Sequence, residues 1–437
     1  MTEENIEALP TALPEGVDYD KYVIATYYAA IPRDWPIDKI AMAVAVEQST
    51  GTWIRVPGET VDLRKKHIAK VIAINEIPDF EYEVPVDVKL RRYIVQIAYP
   101  YENFMNEISM LLTTVIGNIS MAGRLKLVDL AFPKSYLEMF KGPKFGVQGL
   151  RKYLKIDKRP ILNNMIKPCT GYPPEVGAKL AYEALVGGAD FVKDDELLAN
   201  APFNTVEGRI VKYMEVVDRA AQETGEKKMY TINVTADAPK IFEFAEKVIE
   251  LGANAIMVNH LVAGIGVLKA LAEDPSIKVP ILGHMDFAGA IYEDPESGMS
   301  SHLTLAKLPR LAGADILVYP APYGKQPFFL REKYLKTGKT MLFPMHNIKP
   351  TLPMPSGGIT QLHVPQLISD LGTDIAIGAG GAIHAHPMGP RAGAKAFRQA
   401  IEAAMNKTIL EQYAEQHPEL KAAIEAWKAG PVSLLLE

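Results

Sequence analysis

Two lysines and two neighbouring acids set the chemical question. Lys167 lies in IKPC, and Lys193, Asp195 and Glu196 lie in FVKDDE. In an extended segment Lys193 and Asp195 share a face, and Glu196 follows as the chain leaves it. Two carboxylates and a lysine meeting at one point pack poorly but make an oxygen-rich site suited to Mg2+. An ammonium repels a cation. CO2 adding to the neutral amine would turn Lys193 into a carbamate, a third anionic oxygen ligand. The same residues would also serve as a Lys–Asp salt bridge at a strand end, and pattern alone leaves the two readings level.

Glycines supply a second signal. PSGG brings Ser356, Gly357 and Gly358, and GAGG ends in Gly380 and Gly381. Such turns let backbone N–H groups approach an anion closely. Each alone reads as an ordinary turn, but two at the expected places weigh toward phosphate. Further polar groups are Asn233, Asn259, His260, His284 and Lys325. His260 and His384 read equally as acid–base groups or as hydrogen-bonded structural residues. His302 and His346 read as packing or surface groups and Cys169 as a small filler; Asp286 could replace a lost polar contact but is not counted as a site residue.

These residues need a frame. Residues 1–20 carry two prolines and no apolar period, and read as an arm that docks or stays mobile. Residues 21–145 mix strands (YVIATYYAAI, HIAKVIAINEI, LRRYIVQIAYP) with helices (PIDKIAMAVAVEQST, ENFMNEISMLLTTVIG), which predicts a small α+β domain. Within 146–437, apolar runs recur with helical stretches between most of them. The runs are RPILNNMIKP, ADFVKDD, KMYTINVTA, NAIMVNHL, VPILGHMDF, ADILVYPAP, MLFPMHN and TDIAIGAGG. Near-continuous apolar strands alternating with helices predict a parallel sheet, and eight units predict a (β/α)8 TIM barrel over a doubly wound sheet. A barrel places its active site at the C-terminal strand ends, where the lysines, acids and glycines fall.

Composition excludes several classes. The formal net charge of −5 comes without a basic stripe, so nucleic acid is not an expected partner. The single cysteine excludes an intramolecular disulfide and fits a reducing compartment. The acidic, polar beginning is unlike a secretory signal, and no uncharged apolar run would span a bilayer. A cytoplasmic protein without membrane partners is expected.

Several ordered motifs now converge: EQSTGTW (47–53), IGN ending at Asn118, GPKFGVQGLRKYL (142–154), IKP (166–168), FVKDDE (191–196) and HPMGPRAGAKAFRQA (386–400). With them, the chain resembles the large subunit of RuBisCO from about residue 22 to 430. The resemblance implies that Lys193 is carbamylated and holds Mg2+ with Asp195 and Glu196. It implies proton transfer by Lys167, a mobile-loop role for Lys325, and a histidine at His284 after the fifth strand. Thr52, Trp53, Gly357, Gly358, Gly380 and Gly381 would cradle one phosphate, with Ser356 nearby. Glu47 would touch substrate, and the Glu47–Trp53 and Asn118 segments would complete a neighbouring subunit's site. A homodimer, or a multiple of dimers, is therefore expected.

The departures carry equal weight. The family's KPKLG reads KPCTG here, with Cys169 in place of a lysine. The histidine after the fifth strand is normally followed by arginine, but here by Met285. The sixth-strand histidine position holds Val318. The lost arginine and histidine bind the second phosphate of a bisphosphate, so one phosphate site remains and the other is dismantled. The chain is thus identified as a member of the RuBisCO-like branch, whose members enolise a diketone phosphate, isomerise a methylthio-ribulose phosphate, or decarboxylate a branched 3-oxo sugar-acid phosphate. The enolases carry a lysine where Asn118 stands. The expectation is a metal-stabilised enolate formed from a monophosphorylated keto compound, by a decarboxylase or isomerase. A true ribulose-bisphosphate carboxylase with an altered second phosphate site and a non-catalytic barrel-based binder are the alternatives.

Overall fold

Strand β1 (Tyr22–Pro32) pairs antiparallel with β3 (Leu90–Pro100) along its full length. A computed structural model describes residues 3–52, 54–325 and 329–428. They form two compact units, Met1–Phe140 with Phe287–Thr304, and Lys141–Asp286 with Leu305–Glu437.

In the first unit β3 also pairs with β2 (Lys70–Glu76), and β1 with β4 (Leu125–Ala131). The helix Ile108–Ile116 buries Ile108, Leu111 and Val115, the spacing of one helical face. Its carbonyl at Val115 accepts a 2.6 Å hydrogen bond from Tyr27 on β1. The arm docks: Ala12 N–H donates to Val71 O (3.0 Å) and Val71 N–H to Pro10 O (2.9 Å), so it covers the free edge of β2.

The second unit is the TIM barrel. Strands β5 (Ile161–Met165), β6 (Phe191–Lys193), β7 (Met229–Asn233), β8 (Ala255–Asn259) and β9 (Ile281–His284) pair in parallel in that order. The short β10 (Gly298–Met299) belongs to the first unit, beside β4. The barrel resumes with β11 (Ile316–Pro320), β12 (Leu352–Ser356) and β13 (Ala376–Ala379), and β13 pairs back onto β5. Every barrel strand gives at least one side chain to a common core: Ile161, Phe191, Met229, Ala255, Leu282, Ile316, Leu352 and Ala376, with Met257, Val318 and Met354 as second contributions. The helix Gly146–Leu154 adds Val147, Leu150 and Leu154 to that core. Asp315 anchors its start, accepting from Phe145 N–H (2.7 Å) and Gly146 N–H (2.9 Å).

One predicted strand is corrected. MLFPMHN is not the seventh strand. Its Met341 and Leu342 end the helix Arg331–Leu342, and the strand is LPMPS. Its prolines disguise it, since proline cannot donate to a ladder. Leu352 N–H donates toward β11, to Asp315 O at 2.9 Å. By strand alternation the nitrogens of Pro353 and Pro355 point the other way, to the side of β13. Among the described residues no ladder joins β12 to β13. The two strands still lie against one another: a Cβ on Gly378 would meet Ser356 Cβ at 2.8 Å, which is why only glycine fits there.

Candidate active site at the barrel rim

The end of β6 sets the centre. Lys193 is wholly buried, and its ammonium donates to Asp194 O (2.7 Å) and Glu196 Oε2 (3.2 Å). Asp195, also buried, faces Lys167 across 2.5 Å. Asp194, between them in sequence, turns away and forms a buried ion pair with Arg209 (2.9 Å). Strand-end asparagines hold the turn: Asn233 and Asn259 both donate to Glu196 O, at 3.2 and 3.1 Å. Burial works against the Glu196 charge, but Lys193 and His284 outweigh it and bring its pKa to about 2.

Two further side chains enlarge the centre. His284, at the end of β9, places Nε2 3.3 Å from Glu196 Oε2 and Nδ1 2.8 Å from Asp286 Oδ2. Ligand atoms of Glu196, His284 and Asp286 lie within 4.8 Å of one another. Lys167 also donates to Cys169 Sγ at 3.2 Å, so the cysteine is a hydrogen-bond partner as well as a small filler. Burial pulls the Lys167 pKa down, but Asp195 reverses this and leaves it raised. A lowered lysine pKa, the condition for a base, is therefore not what this state holds; the ion pair keeps the ammonium.

The glycine turns stand on the same rim. Gly357 and Gly358 follow β12 with φ of +99° and +80°, a conformation that favours glycine. A Cβ at Gly358 would come within 2.5 Å of Lys325 N. Lys325 N–H donates to Gly357 O (2.8 Å), which ties the turn after β11 to the turn after β12. The Lys325 side chain is exposed, and among the described residues no bond joins it to the carboxylate cluster. Gly380 and Gly381 open the short helix Gly381–His384 after β13, the standard barrel position for a phosphate. A Cβ at Gly380 would sit 3.3 Å from Lys167 Cε, so the tip of Lys167 lies beside the glycine turn as well as beside Asp195. Ser356 is buried at the end of β12.

The remaining candidates divide. His384 shares a hydrogen bond with Asn164 (3.1 Å), and burial with the nearby Lys167 lowers its pKa to about 4. His260 is fully buried, and burial brings it to about 3, so both rings are neutral near pH 7. Met285 packs against the barrel core that contains Val318, so both departures from the family pattern present apolar surface. Glu47, Thr52 and Asn118 are exposed on the first unit, and Trp53 lies outside the described residues. Sequence reading left Asp286, and the Asp194–Arg209 anchor, out of the site. The spacing His-x-Asp at a strand end was the available signal for Asp286.

The donor set fits a divalent cation: Asp195 and Glu196 offer carboxylate oxygens, and Lys193 ends beside Glu196 where a carbamate would add another. An eight-stranded parallel barrel with such a cluster and glycine turns on its C-terminal rim is a TIM-barrel scaffold whose polar groups stand where such barrels place their active sites. The chain belongs to the RuBisCO large-chain family. Residues 16–136 match the ribulose bisphosphate carboxylase large chain N-terminal domain, and residues 146–427 match the catalytic domain. It is 57% identical over 412 residues to a ribulose bisphosphate carboxylase-like protein of Archaeoglobus fulgidus, covering 94% of each chain. It is 37% identical over 418 residues to a 2,3-diketo-5-methylthiopentyl-1-phosphate enolase of Bacillus licheniformis, covering 94% of this chain and 99% of that one. Among solved structures it is similar to the octameric RuBisCO of Pyrococcus horikoshii (TM-score 0.87, 33% identity, 97% of each chain).

Proposed function

We propose that the chain is an enzyme that removes a proton beside the ketone of a monophosphorylated keto sugar or sugar acid, or releases CO2 from a 3-oxo acid of that kind, and that it does not fix CO2. The observation that carries this reading is the placement of the Lys167 tip, whose Cε lies beside the glycine turn at Gly380 while its Nζ contacts Asp195. A substrate held by its phosphate at Gly357, Gly358, Gly380 and Gly381 would bring its carbonyl end to that amine. Lys193, as a carbamate, with Asp195 and Glu196 would hold Mg2+. The cation would supply Lewis acidity, which lowers the pKa of the C–H beside a bound carbonyl.

The other roles fall to the chain itself. Once Asp195 is engaged as a ligand, Lys167 loses the interaction that raises its pKa, and burial then favours the neutral amine, a base. Thr52, Trp53 and Glu47, with Asn118, would come from a second subunit, so the working unit would be a homodimer or a multiple of dimers. Met285 and Val318 leave the far end of the substrate without a cationic partner, and burying a second phosphate dianion there would be costly.

Relatives of 37% and 33% identity carry enolase and RuBisCO names, so identity does not choose between chemistries. Asn118 stands where the enolases have lysine, and CO2 loss is the reverse of carboxylation. The lyase reading is preferred over the isomerase on that ground.

The test uses the full chain with Mg2+ and bicarbonate. 2,3-Diketo-5-methylthiopentyl-1-phosphate in D2O should exchange the proton beside its carbonyl, and a 3-oxo sugar-acid phosphate should release CO2. Ribulose bisphosphate should give no fixation of radiolabelled CO2. Lys167-dependent fixation at enzyme-like rates would make the chain a carboxylase. Inertness toward every monophosphate would leave it a binder.

A further inference from the structure

One carboxylate ties down both ends of the turn that carries Lys325. Tyr323 stands two residues before Lys325, and Arg331 opens the helix Arg331–Leu342 after it. Tyr323 OH donates to Asp370 Oδ2 at 2.5 Å, and the Arg331 guanidinium donates to Asp370 Oδ1. Arg331 Nε also donates to Tyr323 OH at 3.0 Å, so the two ends, eight residues apart in sequence, meet directly as well as through a shared acceptor. Gln366 Nε2 adds a further bond to Oδ1 at 2.9 Å. Asp370 lies on the helix Val364–Leu371, the first long helix after the Gly357–Gly358 turn, and its side chain is wholly buried.

We infer that Asp370 is a positioning residue: with Tyr323 and Arg331 it clamps the ends of the Lys325 turn, and so sets where the Lys325 amine stands relative to the glycine turn after β12. The inference rests on the reading above that this rim is the catalytic centre and that Lys325 acts there. Three observations support it. The Lys325 side chain is exposed, so its backbone alone aims it, and every backbone angle left free would widen the volume the amine samples. The turn is held from its other side too: a Cβ at Gly324 would collide with Gly357 O, and Lys325 N–H is bonded to that same oxygen. The Tyr323 ring is itself fixed, edge-on to Tyr334 at 5.8 Å, and Tyr334 stacks at 5.4 Å on Tyr319 of β11. Arg331 gains nothing from its own helix, because a cation in the first turn opposes the helix dipole; its bonds to Asp370 and Tyr323 offset that cost.

The experiment separates the clamp from the chemistry. Amide hydrogen exchange of the full-length protein, read by mass spectrometry without substrate, follows the peptide that holds Lys325. Asp370→Ala should speed exchange of that peptide about tenfold or more, with the peptides of β6 and β9 unchanged. Tyr323→Phe keeps the ring against Tyr334 and removes only the hydroxyl, so it should give a smaller change of the same kind, and it decides the matter where Asp370→Ala fails to fold. Lys325 exchange unmoved in the folded variants overturns the inference. With 2,3-diketo-5-methylthiopentyl-1-phosphate in D2O, Asp370→Ala should lose about tenfold in kcat/KM in the wild-type background and nothing further in a Lys325→Ala background, because the amine that the clamp positions is already gone. Equal losses in the two backgrounds mean that Asp370 does not act through Lys325, and also overturn the inference. Lys325→Ala turning over like wild type instead overturns the role of Lys325 at the rim. Peptide exchange needs no turnover, so it decides the clamp even where no monophosphate reacts or Lys325→Ala has no measurable rate.

Discussion

Arg209 donates through Nε to Asp194 Oδ2 at 2.9 Å, and neither side chain reaches solvent. Asp194 also accepts from Tyr230 OH (2.6 Å) and from Asn233 N–H (2.9 Å). One acid of the KDDE run is thus spent on holding the run in place, which leaves Lys193, Asp195 and Glu196 to face the rim. Arg209→Met would strand a buried carboxylate and should cost about 3–5 kcal/mol in urea unfolding. The double change Asp194→Leu with Arg209→Met should cost markedly less, because it leaves no charge unpaired. Equal losses in single and double variants would show that packing, not charge, is at stake.

Lys193 should carry a carbamate when Mg2+ and CO2 are present, visible as a carbamate carbon resonance with 13C-labelled CO2. Lys193→Ala should abolish that resonance and turnover together, with far-ultraviolet circular dichroism unchanged. Activity retained in a folded Lys193→Ala protein removes the metal role.

Asn118 and Lys193 should complement each other across subunits. Lys193→Ala and Asn118→Ala proteins are each expected to be inactive. Mixed and allowed to exchange subunits, they should regain part of the wild-type rate, since a mixed dimer holds one intact site. Absence of recovery after exchange proven by mass spectrometry counts against shared sites.

Glu226 gives a stability prediction with a sign. It pairs with Lys228 (2.7 Å) and Arg398 (3.0 Å). Burial raises its pKa, but Arg398 and Lys228 carry it down to about 2, from 4.5 when unfolded. A depressed carboxylate pKa stabilises the fold fully above the unfolded value and loses that contribution as pH falls through the folded one. The side chain is 39% exposed, so the contribution is discounted for solvent screening. Glu226→Gln should cost about 1–2 kcal/mol at pH 7, and the gap to wild type should close between pH 4.5 and 2. Urea midpoints of the two proteins at neutral and acid pH decide it; a gap independent of pH refutes the assignment.

The barrel was legible because parallel strands buried on both faces read as unbroken apolar runs. The exception, LPMPS, shows the limit: two prolines broke the run, while Met341 and Leu342 supplied a false one from a helix end. In the site, period-two spacing exposed Lys193 with Asp195, and the same rule applied at His284 and Asp286 would have found that pair. Asp194 was hidden because its partner, Arg209, is on another element, far from it in sequence. His384 and Asn164 are 220 residues apart, and no local pattern carries that distance. The pKa of Lys167 also lay beyond the sequence, since it depends on the 2.5 Å approach of Asp195.

The proline seam between β12 and β13 has a consequence for how a ligand is felt. The two glycine turns stand on opposite banks of that seam, Gly357 and Gly358 on one and Gly380 and Gly381 on the other. Among the described residues every other junction of the barrel is a hydrogen-bonded ladder that widening the gap would tear, and this one has no ladder to tear. An anion that accepts amides from both turns would act as the missing rung. Binding would then stiffen the whole hoop, and the amides of β12 and β13 should exchange with solvent more slowly when the rim is filled.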